Sequence, residues 1–524
     1  MSSIRLSVAM AALVTLSACA LPRERGYLEM RTWVEDASGH RPPAPRALGS
    51  APVPARPVTA ADAVRLALLH HPRVRSAFAD IGMARGDWED AARLSNPSFA
   101  FLSLAPTDGA STITRALAMS LSDALLLPAR KRFASGELER AQAVAAAELL
   151  ELAYEAESAW YEAVGAAQIA AMRAIVAKSA NAAESLALRF FEAGNISRLQ
   201  LELERAAAAQ ARIEAIDASA AALRARASLA AFIGQRSSGP WTLADKLSAP
   251  PDARFDVDQL IARALDQRLD LRAARQAVRV REDALKSTRR WRWLGAVEVG
   301  GEREREASGE RLSGPSVQVE VPLFSQSQGQ LERAQAELHA ARATLDGLLV
   351  EVHNDAASAV DALDAARDIA DRYARELVPQ REAIVARTQE EVNFMLVGVF
   401  DLLQAKQQEY DAYQAYLEAV RDYWIARARL RRAVGGRLPD DDAIGPGTLG
   451  VDAVLPEAAH DPHAGHGSSS GRDVDPHAHH HRHERADEPR DESQRRPEPA
   501  PAEPIDDENH RSHPERDKDA GEQQ

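Results

Sequence analysis

Histidine side chains are concentrated near the carboxyl end of this 524-residue chain, where ten of its fifteen histidines lie beyond position 459. Neutral imidazole is a good ligand for Zn, Ni, Co and Cu(II), and a flexible segment can gather several imidazoles around one ion. The residues spaced for this chemistry are His460, His463, His466, His477, His479, His480, His481 and His483. They predict a labile divalent-metal site, while the rest of the chain requires no cofactor.

The segment that carries these histidines is rich in Pro, Asp, Glu, Arg, Gly and Ser, and nearly without apolar residues. Such a composition cannot bury enough surface to fold, so residues 441–524 are predicted to form a disordered tail. Two other interpretations of the histidines stay open. One is a solvated tail of biased composition without a metal function, and the other is a purification tag.

The only cysteine of the chain, Cys19, follows a basic residue and a short apolar stretch. The sequence Leu-Ser-Ala-Cys that ends there resembles a bacterial lipoprotein box. This pattern predicts a signal peptide over residues 1–18, lipidation of Cys19 and an extended linker over residues 19–57. In the lipoprotein class that this pattern resembles, an aspartate after the cysteine would imply retention in the inner membrane. Ala20 stands there instead, so the resemblance favours the outer membrane. The alternative is an ordinary signal peptide with a chance cysteine.

The formal charge of −14 argues against a nucleic-acid partner, because the phosphate backbone is also negative. The chain contains no GxxxxGK[ST] or HExxH motif, so no catalytic residues are assigned and an enzyme is not expected. Apolar residues make up 45% of the chain and aromatic residues only 5%, with alanine the leading apolar type. This composition favours helices that pack closely along small side chains.

The body of the chain repeats itself with a period near 200 residues, which is too long for a solenoid. The stretch ALLHHPRVRSA (67–77) matches ALDQRLDLRAA (264–274), and FFEAGNISRLQLELERA (190–206) matches NFMLVGVFDLLQAKQQE (393–409). The closing stretches LAAFIGQ and LRRAVGG also correspond. These matches predict two tandem repeats, residues 58–238 and 239–440. Gly194 and Gly398 are paired as the turns of the two repeats.

Each repeat begins with a helix, near 60–94 and 256–290, and continues with two strand-like stretches. Alternation is strict from Val317 to Val321, which predicts a strand with one apolar and one polar face. Long helices come next, starting near Ala129 in the first repeat. Their apolar residues alternate in steps of three and four, as in a coiled coil. A coiled-coil rod is the alternative, but the strand pairs argue against it.

This order of elements, duplicated, resembles the TolC-like outer-membrane efflux factors over roughly residues 60–438. The stretches VEVPLFSQSQGQLERAQAEL and LLLPARKRFASGELERAQA are similar to the family's strand-to-helix junctions. The second resembles the Leu-Pro-Gly-Lys-Arg junction of heavy-metal efflux members, with Ala129 in place of the glycine. The resemblance implies a mainly α fold with a small β part: a trimeric twelve-stranded outer-membrane β-barrel continued by a periplasmic α-helical barrel.

The resemblance also implies a passive duct that acts as a homotrimer with a periplasmic membrane-fusion adaptor and an inner-membrane RND pump, in contact with outer-membrane lipid. Its adaptor-contact and gate tips map onto Gly194, Gly398, Asp401 and Gln404, where Gln404 replaces the family's second aspartate. An acidic Asp401 ring would attract cations, whereas the simpler interpretation is a helix N-terminal acid.

With the tail in the periplasm, the expected cargo is divalent heavy-metal cations. The alternatives are export of drugs or other organic compounds by the same fold, or a periplasmic metal-binding or structural coiled-coil lipoprotein.

Overall fold

The computed structural model describes residues 25–48, 55–105, 107, 110–244 and 246–441. The predicted signal peptide, the lipidation site at Cys19 and the histidines of the tail lie outside these residues. Within them the chain is mainly α-helical with one small antiparallel sheet, which confirms the predicted fold class.

The first repeat contains four helices and two strands in the predicted order: α2 (Ala60–His70), α3 (Pro72–Ala91), β1 (Ser98–Leu104), β2 (Thr112–Ser120), α4 (Leu121–Glu192) and α5 (Arg198–Phe232). The second repeat has the same order: α6 (Val257–Gln267), α7 (Leu269–Trp291), β3 (Val297–Arg305), β4 (Arg311–Val319), α8 (Gln328–Arg372), a π turn (Tyr373–Leu377), α9 (Val378–Asn393) and α10 (Val399–Val434). The duplication seen in the sequence is therefore a duplication of structure.

Within the predicted extended linker, residues Arg25–Ser38 form a helix, α1. Met30 and Val34 are fully buried and lie four residues apart, so they share one face of this helix. That face packs into a cluster with Ile81 and Leu149, while most of the other side chains of α1 reach solvent. The segment is too short for its pattern to stand out in the sequence, and tertiary burial stabilises it.

The first helix, predicted near 60–94, is broken into α2 and α3 at His71 and Pro72. Proline has no N–H and is suited to the first position of a helix. The imidazole Nδ1 of His71 accepts a hydrogen bond from the Arg73 N–H (3.2 Å), and its ring stacks on Phe232. Burial lowers the pKa of His71, and the nearby Arg73 lowers it further. His71 is thus a helix cap.

Asp62 and Thr59 form a reciprocal capping box at the start of α2. The Asp62 carboxylate also binds Arg56 (2.7 Å) and Arg65 (3.0 Å). Burial raises the pKa of Asp62, but the hydrogen bonds from Thr59, Arg65 and Arg56 outweigh burial and hold the pKa below its usual value. A carboxylate of this kind stabilises the fold above its unfolded pKa, and the effect is lost as the pH falls through the folded pKa.

Asp62→Asn is therefore expected to lower the free energy of unfolding by about 1 kcal/mol at pH 7, because the cap loses its charge and its ion pairs. The difference from the native chain should shrink as the pH falls through the lowered pKa of Asp62, because the protonated carboxyl, like the amide, carries no charge. Thermal unfolding followed by far-UV circular dichroism measures the difference in stability between the variant and the native chain at each pH. Asp258→Asn, in the matching first turn of α6, is the control. A difference that persists unchanged at low pH would contradict the electrostatic cause.

Helix α4 begins at Leu121, eight residues before the predicted start, and continues through Pro128. The Ser120 hydroxyl accepts a hydrogen bond from the Asp123 N–H and caps the helix. Proline removes one hydrogen-bond donor from the second turn, and the Arg130 guanidinium donates to the Asp123 carbonyl there (3.2 Å). The proline therefore does not mark the helix start.

The predicted seams are the packing faces of the long helices. In α4 the seam residues Leu149, Leu152 and Ala156 are fully buried, and in α8 Leu338 and Val352 are buried. The largest cluster of buried side chains joins α4 to α10 around Trp160, Tyr423 and neighbouring apolar residues. This cluster holds the two repeats together.

The four strands form one antiparallel sheet in the order β1-β2-β3-β4. Phe101 lies opposite Arg115, Arg115 opposite Arg303, and Arg303 opposite Ser313. Strand β4 begins six residues before Val317 and ends at Val319, so Val321 lies beyond it. Pro322 explains the early end, because proline cannot donate to a strand ladder and restricts the residue before it.

The π turn at Tyr373–Leu377 interrupts the long helix of the second repeat. Before it, buried positions recur with an offset of 200 residues, as in the pairs Ala156/Ala356 and Ala163/Leu363. Beyond it, the ends of the long helices, Ala193 and Phe394, differ by 201. A π turn accommodates one extra residue inside a helix. This turn therefore accounts for the change of the offset from 200 to 201 residues.

Candidate functional site

The sheet has two chemically different faces. Strand residues alternate between the faces, and the register places directly opposite residues on the same side. One face, called the apolar face, carries Phe99, Phe101, Leu117, Met119, Val297, Val299, Val317 and Val319. Most of these side chains are exposed in the single chain, which is unusual for a soluble sheet. This face needs an apolar surrounding.

The opposite face, called the acidic face, carries Glu298, Glu302 and Glu304 along β3. Small or polar residues of the other strands lie across from them, such as Ser120, Ala116 and Thr114. Leu102, Leu104 and Leu312 also lie on this face, near the strand ends remote from the helices. No basic residue of the four strands points to this face, so the strands give it a negative charge.

The glutamates of the acidic face were missed by sequence reasoning, which predicted a polar strand face only in the stretch from Val317 to Val321. The signal is present in GGERERE (300–306), where glutamate and arginine alternate. Read with the period of a strand, this run puts each glutamate on one face and each arginine on the other. The run lacks the apolar residues that usually identify a strand, and so its alternation was not used.

Aromatic and basic side chains lie where α7 leads to the sheet. Trp293 is mostly exposed, and the guanidinium of Arg292 lies 4.5 Å from its ring centroid. Arg290 lies over the ring of Trp291 in the same way. Aromatic rings beside basic residues are typical of the boundary between an apolar and an aqueous phase. These residues therefore lie at the helix-side edge of the apolar face.

The two helical hairpins end in turns of nearly identical geometry. Gly194 follows the end of α4 with φ +76°, and Met395 follows the end of α9 with φ +60°. Ser197 and Gly398 are the N-caps of the returning helices, with nearly the same backbone angles. The predicted pairing of Gly194 with Gly398 is therefore wrong, because the offset of 201 pairs Gly194 with Met395 and Ser197 with Gly398. Matching glycine to glycine hid this register, since the second turn uses methionine in a left-handed conformation.

Asp401 caps the start of α10 with its side-chain carboxylate. The Gly398 N–H donates to Asp401 Oδ2 (2.9 Å). The structure thus gives Asp401 the role of the helix N-terminal acid, favoured there by the helix dipole. Gln404 lies one turn further on, and both side chains are exposed on the same helix face. The roles of Gly194, Gly398, Asp401 and Gln404 in a gate or an adaptor contact remain predictions.

The tip of the second hairpin is apolar and open to solvent. Phe394, Met395 and Leu396 are 78%, 92% and 73% exposed. The corresponding residues of the first tip are Ala193, Gly194 and Asn195. Three consecutive exposed apolar residues at a helix turn are costly in water and are typical of a surface that binds another protein.

The two hairpins are joined below their tips by charged and polar groups. Arg173 on α4 binds Glu214 on α5 (2.8 Å) and Asp411 on α10 (3.2 Å), so one guanidinium links three helices. On the second hairpin the Tyr413 hydroxyl donates to Glu382. Burial raises the pKa of Tyr413, and this hydrogen bond raises it further, so the hydroxyl stays protonated at neutral pH. The Arg173 ion pairs fix the spacing between the two hairpins, and the Tyr413 hydrogen bond joins α9 to α10 within the second hairpin.

Within the described ranges no group of three or more His, Cys, Asp or Glu side chains could hold a metal ion. The histidines predicted to bind metal lie outside those ranges and their site remains a prediction. None of the helices that the structure describes has a stretch long and apolar enough to cross a membrane.

Comparison with known proteins identifies the arrangement. Residues 260–436 match the family model described as outer membrane efflux protein. The fold is similar to a membrane protein from Pseudomonas aeruginosa (TM-score 0.61, 18% identity, covering 76% of this chain and 96% of that chain). It is similar to CusC (0.61, 13%, 72% and 92%) and to the outer membrane protein VceC of Vibrio cholerae (0.60, 18%, 72% and 96%). A search of the curated proteins found no match.

Proposed function

We propose that this chain conducts divalent heavy-metal cations out of the cell, since residues 260–436 match the outer membrane efflux protein family and the fold is similar to those of CusC and VceC. The channel itself is passive. A periplasmic adaptor connects it to an inner-membrane RND pump, which supplies the energy. The observation that carries the proposal is the sheet, in which an apolar face is backed by an acidic one.

The sheet also supports assembly as a trimer. Strands β1 and β4 are its two edges, and each has a paired neighbour on one side only within the sheet. An open edge invites pairing with another chain. Head-to-tail pairing of β4 with β1 of a second copy, repeated until the ring closes, gives a closed sheet of twelve strands from three chains. Its apolar face turns to lipid and its acidic face encloses water.

In this arrangement the four strands of each protomer lie in the outer membrane and the helical hairpins extend into the periplasm. The ring-and-arginine pairs at Trp291 and Trp293 then lie at the periplasmic boundary of the lipid. A lipid anchor on Cys19 would tie the start of the chain to the same membrane. Asp441 is bound to the helical body through Arg427 and Arg431. The carboxyl-terminal tail that follows it would therefore lie in the periplasm.

Three features support a cationic cargo. The acidic face contributes three glutamates per chain, so a trimer lines its duct with nine carboxylates from β3 alone. The tail adds the imidazole ligands that suit Zn, Co, Ni and Cu(II). A polar duct for organic compounds would not need this negative charge. The junction at residues 127–132 resembles that of heavy-metal efflux members and points the same way.

Growth of a strain that lacks this protein, on a panel of Co, Zn, Cd, Ni and Cu salts, tests the proposal. The full chain and a chain ended after Ala443 should be compared in complementation. The shorter chain keeps Asp440 and Asp441, which bind the buried Arg427. Restoration of tolerance to one metal group by both chains supports a metal duct with a secondary tail. Restoration by the full chain alone makes the histidines part of the route. No change with any metal overturns the cargo, and organic compounds are then tested.

The exposed tip of the second hairpin is expected to contact the adaptor. Phe394→Ser combined with Leu396→Ser should abolish export while leaving the trimer intact, because binding loses its apolar anchors and the fold loses no buried contact. Export is measured as growth on the inhibitory salt and trimer as the band on unheated gels. Met83→Ser with Leu28→Ser, two exposed apolar residues far from the tip, is the control. Export at the native level by the tip variant would exclude this contact.

A further inference from the structure

Four arginines lie together on the apolar face, at the end of the sheet remote from the helices. Arg115 on β2 is directly opposite Arg303 on β3, and Arg305 on β3 is directly opposite Arg311 on β4. Opposite residues of antiparallel strands lie about 5 Å apart, and alternate residues of one strand about 7 Å apart. The four basic side chains therefore occupy an area about the size of one lipid head group.

Among the strand residues that the structure describes, this cluster has no counter-charge on its own face. All four arginines are exposed, and none forms an ion pair with another residue that the structure describes. The glutamates of β3 point to the opposite face. Glu306 and Glu310 flank the turn between β3 and β4 without reaching 4.0 Å from these guanidinium groups. Like charges directly opposite one another destabilise a sheet, so the cluster costs stability unless an anion lies against it.

The position of the cluster on the sheet indicates which kind of anion binds the four arginines. The apolar residues of the same face, such as Leu117, Val299 and Val317, lie between the arginines and the helices. A lipid that packs its acyl chains on those residues brings its head group to the arginines. Guanidinium groups bind phosphate through paired N–H donors, better than ammonium groups do.

Resting on the proposed function, we propose that Arg115, Arg303, Arg305 and Arg311 bind the phosphates of the bisphosphorylated glycolipid, lipid A, in the outer leaflet. The acyl chains of the same molecule lie on the apolar face below. Each protomer carries one such site, so a trimer holds three. The site fixes the depth of the sheet in the membrane and neutralises a cluster that the protein leaves unpaired.

Binding of bisphosphorylated lipid A to the full chain, purified in dodecyl maltoside, tests this site, with bound lipid counted by native mass spectrometry. Arg303→Gln with Arg305→Gln is expected to weaken binding about 25-fold, since each basic residue near an anionic lipid surface contributes about fivefold. Arg224→Gln with Arg429→Gln removes the same charge from exposed helix positions and should change binding less than twofold. Lipid A stripped of both phosphates should bind the native chain as weakly as the intact lipid binds the double variant.

Equal affinity of the native chain for intact and dephosphorylated lipid A overturns the site, and this comparison requires no variant. Native affinity in the double variant, or in the single variant Arg311→Gln, overturns it too. Full displacement of the lipid by millimolar inorganic phosphate would make free phosphate the ligand and overturn the lipid assignment. Channel conductance of the same preparations in planar bilayers separates the two proposals. Conductance without phosphate-dependent lipid binding removes this inference alone, and absence of conductance removes the proposed function and this inference together.

Discussion

Replacing Arg427 by methionine is expected to lower the free energy of unfolding of the helical body by about 3–5 kcal/mol. Only 4% of the Arg427 side chain is exposed, and its guanidinium binds Asp440 (2.7 Å) and Asp441 (2.8 Å). Burial alone would lower the pKa of Arg427, but the hydrogen bond and charge of Asp440 raise it above its usual value. Without the arginine, partly buried carboxylates lose their main counter-charge.

The neighbouring arginine shows why the effect extends beyond one ion pair. Arg431 binds both oxygens of the buried Glu157 (2.8 and 2.9 Å) and also Asp441 (3.3 Å). Asp441 therefore joins the two arginines, and the segment that ends at Asp441 is held against α4 and α10. Release of this segment should make it accessible to protease in the Arg427→Met variant.

Urea unfolding followed by far-UV circular dichroism measures the loss, and limited proteolysis followed by mass spectrometry detects the released segment. Arg429→Met, two residues along the same helix and exposed, is the matched control and should change stability by less than about 0.5 kcal/mol. Adding Asp440→Asn to Arg427→Met should restore part of the loss, because the unpaired charge is removed. A loss below about 1 kcal/mol in the single variant would show that the cluster is not needed for the fold.

Replacing Glu302 and Glu304 by glutamine is expected to reduce the preference of the channel for cations over anions by about tenfold at low salt. The two carboxylates lie on the acidic face and recur in each protomer, so the double variant removes six charges from a trimeric duct. Fixed charge concentrates counter-ions within a Debye length, which is about 30 Å at 10 mM salt and about 3 Å at 1 M. The effect should therefore be large at 10 mM and small at 1 M.

Reversal potentials in planar bilayers with a KCl gradient measure this preference. Asp258→Asn with Asp266→Asn removes as many carboxylates from α6, far from the sheet, and should leave the reversal potential unchanged. The metal tolerance conferred by the Glu302/Glu304 variant should fall in parallel with its cation preference. An unchanged reversal potential at 10 mM would place these glutamates outside the conducting path.

Most of the architecture could be predicted from the sequence because it depends on long-range periodicity. The duplication, the strand pairs and the seam through Leu149 and Ala156 all repeat over many residues. Errors arose where one local contact decides the structure. The capping hydrogen bond of Ser120 starts α4 before Pro128, and α1 is stable only because Met30 and Val34 find a buried partner surface. Neither contact is visible in a single sequence.

The candidate site was predicted less completely than the fold. The tips were located correctly in the chain, but glycine was taken as the marker of the left-handed turn residue, and Met395 occupies that conformation in the second tip. The glutamates of the acidic face went unnoticed because charged residues filled both faces of β3 near its end. The pairing of β3 with β2 and β4 shows that these glutamates lie on the face opposite the apolar residues.

The π turn at Tyr373–Leu377 preserves the rotational phase of the second hairpin. One residue added to an unbroken α-helix would rotate everything beyond it by about 100° and shift it by about 1.5 Å. Phe394, Met395 and Leu396 would then point to a different side of the molecule from their counterparts in the first repeat. Because the extra residue is accommodated in the wider π turn, the second hairpin contains an insertion while the orientation of its tip stays unchanged. The length of this helix could therefore change during evolution while the direction of its docking surface stayed the same.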